Sequence, residues 1–504
     1  MAQGVLGFKY EEEKRDTGMT GLAGLPVYLD LMRAMGLPEL IGRHLQVKQR
    51  GWTDAQMIQS LMLLNIAGGD CVEDLDTIEK DEGFCRILRR VVQRGMRRAE
   101  RREMERRWRR TSERSVPSAS AVFRYLSEFH DKEQEKKREK GKAFIPVPNR
   151  HLRGLAKVNE GMVAFLQKRV PARIATLDQD ATLVETAKRD ALFSYPGFKA
   201  YQPLNTWWAE QEMVLHTEFR DGNVPAGDEQ LRVLQECLSE LPASVEQVRL
   251  RSDTAGYQHS ILRYCAQRED RRFGRIEFAV GADVTPAFKK AVLTEVEERD
   301  WQPLYQEYEG KRIRTNQEWA EVCFVPNAIG QHRDDPRYRY LAIREVIGSM
   351  ELPGMPQPEL PFPTVGINLQ QYKLFGLVTN MDWEGERLIH WHRERCGKSE
   401  EAHSVMKRDF AGGKLPSGDF GENAAWWWIM ILAMNLNTIM KRLALGGPWV
   451  SRRMKAIRFS FITIPGRIVE RSREMIIRLV KGHPAFDLYL EARLRILGMI
   501  PVPG

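Results

Sequence analysis

Two divalent ions held about 3.5–4 Å apart can activate a nucleophile and stabilise a leaving oxygen at one phosphodiester. Hard ions such as Mg²⁺ prefer carboxylate oxygens and take few ligands from a protein. Acids at strand ends, joined by one on a nearby helix, are therefore the pattern of interest. Asp178 and Asp180 close the strand-like run that begins at Arg173, and Asp253 closes the run from Val245 to Arg251. Glu400 lies in the helix-like stretch WHRERCGKSEEAHSVMK. Lys407, seven residues on, is two α-helical turns beyond Glu400 and therefore projects from nearly the same face. Any one of the 68 acids is more often a cap or a surface charge, so the ordered set carries the weight.

The elements that must position these residues are legible from pattern. ARIATLDQDATLVE, residues 201–208 and EMVLHTEF read as strands, with Arg220 to Asn223 as turn chemistry. Residues 228–241 read as an amphipathic helix, 245–253 as a strand, 256–267 as a helix and 275–280 as a strand. Strands in a meander, then strands alternating with helices, predict a mixed sheet flanked by helices. Residues 290–384 break that rhythm and read as a β-rich insertion containing a proline-rich connection. Helical pattern resumes after Gly385 and runs, with breaks, to the end. At roughly 150 residues per domain, 504 residues suggest about three domains or a large core with insertions.

Residues 20–90 read as helical, with Thr53 as an N-cap. The strongest local bias follows in RILRRVVQRGMRRAERREMERRWRRTSER, residues 86–114, where arginine greatly outnumbers glutamate. A helix laced with ion pairs is one reading of it. The other is a phosphate-binding surface in which Arg97, Arg98, Arg101, Arg102, Arg106 and Arg107 supply affinity without sequence preference. A net charge of +9 suits polyanionic partners without choosing among them. Six scattered cysteines with no CxxC pair point to a reduced, cytoplasmic setting. The first residues lack a signal-peptide pattern, and the apolar run 424–434 is too short to span a membrane. That run reads as a buried helix.

On these residues the chain resembles the DDE transposases of bacterial insertion sequences, over nearly its whole length. TLDQDATLVE is similar to the family's first-acid strand, where the acid precedes a small residue and Thr or Ser, which favours Asp180 over Asp178. LRSDTAGY is similar to the second-acid strand and assigns Asp253. RCGKSEEAHSVMK, with the AGGKLPSGDFGENAAWWWIMILAMNLN that follows, resembles the third-acid helix and the buried helix after it. The resemblance makes Glu400 the third acid and Lys407 the lysine of a Tyr-Arg-Glu-Lys signature. No tyrosine stands in the expected place, and Arg395 precedes Glu400 by five residues where four is usual, which leaves Glu401 as an alternative.

The resemblance implies an α/β fold: an RNase H-like mixed sheet flanked by helices, interrupted by a β-rich insertion, with a helical N-terminal DNA-binding region. The expected division is 1–170 for that region, 171–289 and 385–504 for the two parts of the core, and 290–384 for the insertion. It implies two Mg²⁺ ions, with Mn²⁺ as the alternative, held by Asp180, Asp253 and Glu400. Arg395 and Lys407 would contact phosphate at the element's end. The partners implied are double-stranded DNA, as terminal inverted repeats and target, and a second copy of the chain on that DNA. The implied activity is cleavage at the element's ends followed by joining to the target. A nuclease that cuts without joining, and a non-catalytic DNA-binding descendant, are the rival readings.

Other motifs are weaker. Gly397, Lys398 and Ser399 match the end of a phosphate-binding loop, but the earlier glycine is replaced by His392. His390 and His392 lack the companions of a zinc site and read as a surface or DNA-facing pair. Trp426, Trp427 and Trp428 read as core. Trp319, with Trp301 and Trp383, is the better candidate for stacking on unpaired bases.

Overall fold

The computed structural model describes residues 17–93, 97–99, 101–102, 114–139, 141–326, 336–349, 362–367, 370–471 and 474–500. The chain forms two compact units, one of Lys137–Pro146 and Val163–Ser404, the other of Met1–Lys136, Val147–Met162 and Val405–Gly504. This grouping cuts across the boundary placed at 385 from sequence, because the residues after Ser404 pack with the N-terminal helices.

The physical reason lies in one helix. All twenty residues of Phe420–Ile439, including the three tryptophans, are buried. A helix that is apolar all round needs a complete shell. The helix Asp54–Ala67 supplies part of it, starting as expected at Thr53, whose side chain accepts from Gln56 N in a capping box. The polar side chains of the buried helix find partners: Asn435 donates to Asn159 at 2.7 Å, and Asn437 accepts from the Tyr28 hydroxyl at 2.8 Å. The helical reading of the C-terminus needs correction. Gly466–Arg471 and Glu474–Arg478 form a hairpin that pairs with Met19–Thr20.

The other unit is built on a ten-stranded sheet. Its strands are β1 (Ile174–Ala181), β2 (Leu204–Trp208), β3 (Met213–Glu218), β4 (Gln247–Ser252), β5 (Glu277–Ala282), β6 (Gln302–Tyr308), β7 (Lys311–Val322), β8 (Arg339–Ser349), β9 (Thr364–Ile367) and β10 (Gln370–Thr379). Helix α1 (Gln230–Glu240) precedes β4, α2 (His259–Ala266) precedes β5, α3 (Pro286–Glu295) precedes β6, and α4 (Gly385–Ser404) follows β10. The order across the sheet is β6-β7-β8-β10-β5-β4-β1-β2-β3, with β9 added on β10. Only β1–β4 and β4–β5 are parallel pairs. Residues 201–208 do not form one strand, since Pro203 has no N–H for the ladder and β2 starts only at Leu204.

The strands from 302 to 379 continue the same sheet and do more than decorate it. Leu304, Trp319, Leu341, Ile343 and Leu377 form a cluster with Leu388 and Ile389 of α4. Trp319 is 5% exposed there, so its ring has no face open to a base, a correction to the stacking role expected for it. Trp301 is likewise buried, under the Arg344 guanidinium at 4.2 Å. Among the described residues no helix is long and apolar enough to cross a membrane.

Gly385 starts α4 against Trp319, where an added Cβ would lie 2.2 Å from the indole ring. Gly385→Ala is therefore expected to cost about 1–3 kcal/mol by overpacking. Gly42→Ala, in a helix with nothing within 4 Å of the added carbon, is expected to stabilise by up to ~1 kcal/mol. Thermal unfolding of the two variants beside the wild type checks the contrast in sign.

Candidate active site

The parallel register of β1 and β4 pairs Leu177 with Leu250, Asp178 with Arg251 and Gln179 with Ser252. One step further along, Asp180 and Asp253 stand at the C-terminal ends of neighbouring strands, which run about 4.8 Å apart. The two acids, 73 residues apart in sequence, are thus brought side by side by a hydrogen-bond register. The Asp253 carboxyl is raised above its ordinary value by burial first and then by the charge of Asp180, with Arg395 opposing. Its Oδ1 accepts from Ala255 N at 3.0 Å and caps the short turn Thr254–Gly256.

Asp178, the near rival of Asp180, has a different task. Its two oxygens accept from Arg251 Nε at 2.6 Å and Nη2 at 2.8 Å, and both side chains are 1% exposed. Burial pushes the Asp178 carboxyl up, and the bidentate pair opposes that push. With its oxygens engaged, Asp178 is an internal counter-ion, while Asp180 keeps 19% of its side chain exposed. The structural role of Arg251 was not foreseen; its place two residues before Asp253, on the same strand face, was the available signal.

Arg251 also reaches α4, donating to the Trp391 carbonyl at 2.6 Å and to Glu394 at 3.2 Å. Two more bonds seat the same helix over the strand ends. His392 Nε2 donates to the Ser252 carbonyl at 2.9 Å, and Arg395 Nη1 donates to Asp180 Oδ2 at 3.2 Å. His392 is therefore not a surface residue as expected. Burial, opposed by the Ser252 bond and reinforced by nearby arginines, depresses its pKa to about 4, so it is a neutral donor at neutral pH. His390 keeps 43% of its side chain exposed.

Glu400 falls on α4, and its side chain lies outside the described residues. At about 100° per residue, position 400 stands about 80° from His392 and about 140° from Arg395, and position 401 about 180° and about 120°, so helical phase does not choose between them. Glu401 is exposed. Lys407 does not continue the helix of Glu400, because the α-helix ends at Ser404 and Val405–Asp409 is a π-helical turn. Seven residues are therefore not two uninterrupted α-turns here. Lys407 belongs to the other compact unit and is half-buried, which lowers its pKa. Arg97, Arg98 and Arg102 are exposed and Arg101 is partly so, while Arg106 and Arg107 lie outside the described residues.

One close group of three potential metal ligands occurs among the described residues, Asp70, Cys71 and Asp74, away from these acids in sequence and in the other unit. Asp74 Oδ2 there accepts the backbone N–H groups of Asp70 and Cys71, and Asp70 pairs with Lys414 at 2.8 Å. That group is a turn cap with a salt bridge.

Paired acids on adjacent parallel strands, with the Arg395-bearing helix laid across them, are consistent with the DDE class of transposases. The family described as transposase DDE domain group 1 matches residues 16–499, and the chain belongs to it. Among solved structures, a cryo-EM structure of the piggyBac transposase synaptic complex with hairpin DNA is similar at 10% identity, with a TM-score of 0.41, covering 95% of this chain and 86% of that one. A comparison with curated proteins finds no match.

Two outcomes follow for the site. Arg251→Gln leaves Asp178 buried without its partner and is expected to cost about 3–5 kcal/mol in denaturant unfolding. Because the folded Asp253 carboxyl is raised above 3.8, its contribution favours folding only at low pH and is lost as pH rises through the folded value. Asp253→Asn should thus unfold at a higher temperature than wild type at pH 7 without divalent ions, with the difference vanishing below about pH 3.8. A variant less stable than wild type at pH 7 and unchanged by acid would contradict this.

Proposed function

We propose that the chain cuts DNA at the ends of a bacterial insertion sequence and joins the freed 3′-hydroxyls to target DNA. The observation that carries the reading is the side-by-side placement of Asp180 and Asp253 at parallel strand ends. The strand order β3-β2-β1-β4-β5, with only β2 reversed, supports an RNase H-like core. On this reading β6 to β10 are an insertion that extends the core sheet and seats α4.

Asp180 and Asp253 suit a divalent cation, since burial and then the charge of Asp180 raise the proton affinity of the Asp253 carboxyl, and a positive charge beside it would oppose that. With Glu400 they would hold two Mg²⁺ ions, Mn²⁺ being the alternative. Such ions supply an activated attacking oxygen and stabilise the leaving one. The protein's own groups do the rest. Arg251 and His392 hold α4 in register with the strand ends, and Arg395 presents a guanidinium fork beside Asp180 suited to a backbone phosphate. Lys407 is assigned a phosphate contact as well. Arg97, Arg98, Arg101, Arg102, Arg106 and Arg107 are assigned to sequence-independent DNA binding by the N-terminal region. Acting on two ends implies a homodimer on DNA.

The test incubates the full chain with DNA carrying the flanking repeats, a target plasmid and Mg²⁺. Asp180→Asn, Asp253→Asn and Glu400→Gln are each expected to lower cleavage at least ~10³-fold, several kcal/mol of transition-state stabilisation, with end binding retained. Full cleavage by any variant removes that residue from the site. Cleaved ends that never join identify a nuclease instead.

A further inference from the structure

Asp180 has a neighbour on its other side that the mechanism above does not use. In the β1–β2 register Asp180 is opposite Asn205, and in the β2–β3 register Asn205 is opposite Thr217. Directly opposed residues put their side chains on the same sheet face. The row Thr217, Asn205, Asp180 therefore runs across three strands on the face that α4 covers, with Asp253 continuing it on β4. Asn205 is 2% exposed.

The Thr217 hydroxyl donates to Asn205 Oδ1 at 2.7 Å. That bond fixes the amide, turning Nδ2 away from Thr217, and Nδ2 is buried with no hydrogen-bond partner. Across the strand from Thr217, the register neighbour of Asn205 is Asp180. Leaving a buried donor unmade is costly, and such groups in folded proteins call for an explanation. Carboxylates that bind metal are commonly held by a further hydrogen bond from an outer group.

We propose that Asn205 is a positioning residue for Asp180. Its Nδ2 would donate to the Asp180 carboxylate when Asp180 takes a divalent cation, fixing that carboxylate in place together with Arg395, and Thr217 holds the amide in the donating orientation. This rests on the reading of Asp180 as a cation ligand.

The test follows thermal unfolding of the full chain against Mg²⁺ concentration, together with kcat and KM for cleavage of end DNA. Asn205→Leu is expected to raise the Mg²⁺ concentration for half-maximal stabilisation by roughly 10–100-fold and to lower kcat over the same range. KM for end DNA should stay within about twofold. Thr217→Val, which frees the amide to turn, should shift both readouts in the same direction by less, and it decides the matter if Asn205→Leu does not fold. A lower unfolding temperature with an unchanged Mg²⁺ midpoint marks Asn205 as merely structural and overturns the proposal. Asp180→Asn serves as the reference. If it too leaves the midpoint unchanged, the reading of Asp180 fails with the proposal; if it alone shifts the midpoint, only the role of Asn205 falls.

Discussion

A single guanidinium, that of Arg251, ties together three segments that are far apart in the chain. It takes both oxygens of Asp178 on β1, and it reaches the Trp391 carbonyl and Glu394 on α4 from its own place on β4. Its plane also lies 5.0 Å from the Trp391 ring. Buried ion pairs are not in general a source of net stability, because desolvation offsets their attraction. What this pair does is exact a large cost from any arrangement in which β1, β4 and α4 are not aligned. The alignment is what sets Asp180 beside Asp253 and Arg395 above Asp180.

The rest of the sheet supports the same geometry from outside. α4 needs an apolar seat for Leu388 and Ile389, and the strands between 302 and 379 provide it through Trp319, Leu341 and Leu377. Family membership across residues 16–499 supplies the reaction class. Register and burial distinguish the acids at the strand end: Asp178 is buried and paired, while Asp180 is partly exposed.

Much of this was legible in the sequence, because it depended on short-range pattern. The strands ending in Asp180 and Asp253, the helix carrying Arg395 and Glu400, the N-cap at Thr53 and the buried tryptophan helix all follow from periodicity and capping chemistry within a dozen residues. Local pattern also placed a β-rich stretch before α4. It does not reveal a partner across the sheet. Trp319 and Trp301 have the composition of stacking residues, and only the folded cluster shows their rings enclosed. His392 has the appearance of a surface histidine until the Ser252 carbonyl is seen beneath it.

The sequence by itself determined which residues carry acid and base, where strands and helices begin, and the transposase resemblance, since each is written in side-chain chemistry and local spacing. Tertiary structure decided the rest. Parallel register chose which carboxylates are neighbours, burial separated the counter-ion Asp178 from Asp180, and a π-helical turn broke the spacing between Glu400 and Lys407. The hairpin at 466–478 and the packing of the C-terminal fifth with the N-terminal helices were likewise decided by long-range pairing. The physical reason is common to all of them. Desolvation and charge–charge coupling depend on distance through space, and residues 73 or 215 positions apart acquire that distance only when the sheet closes.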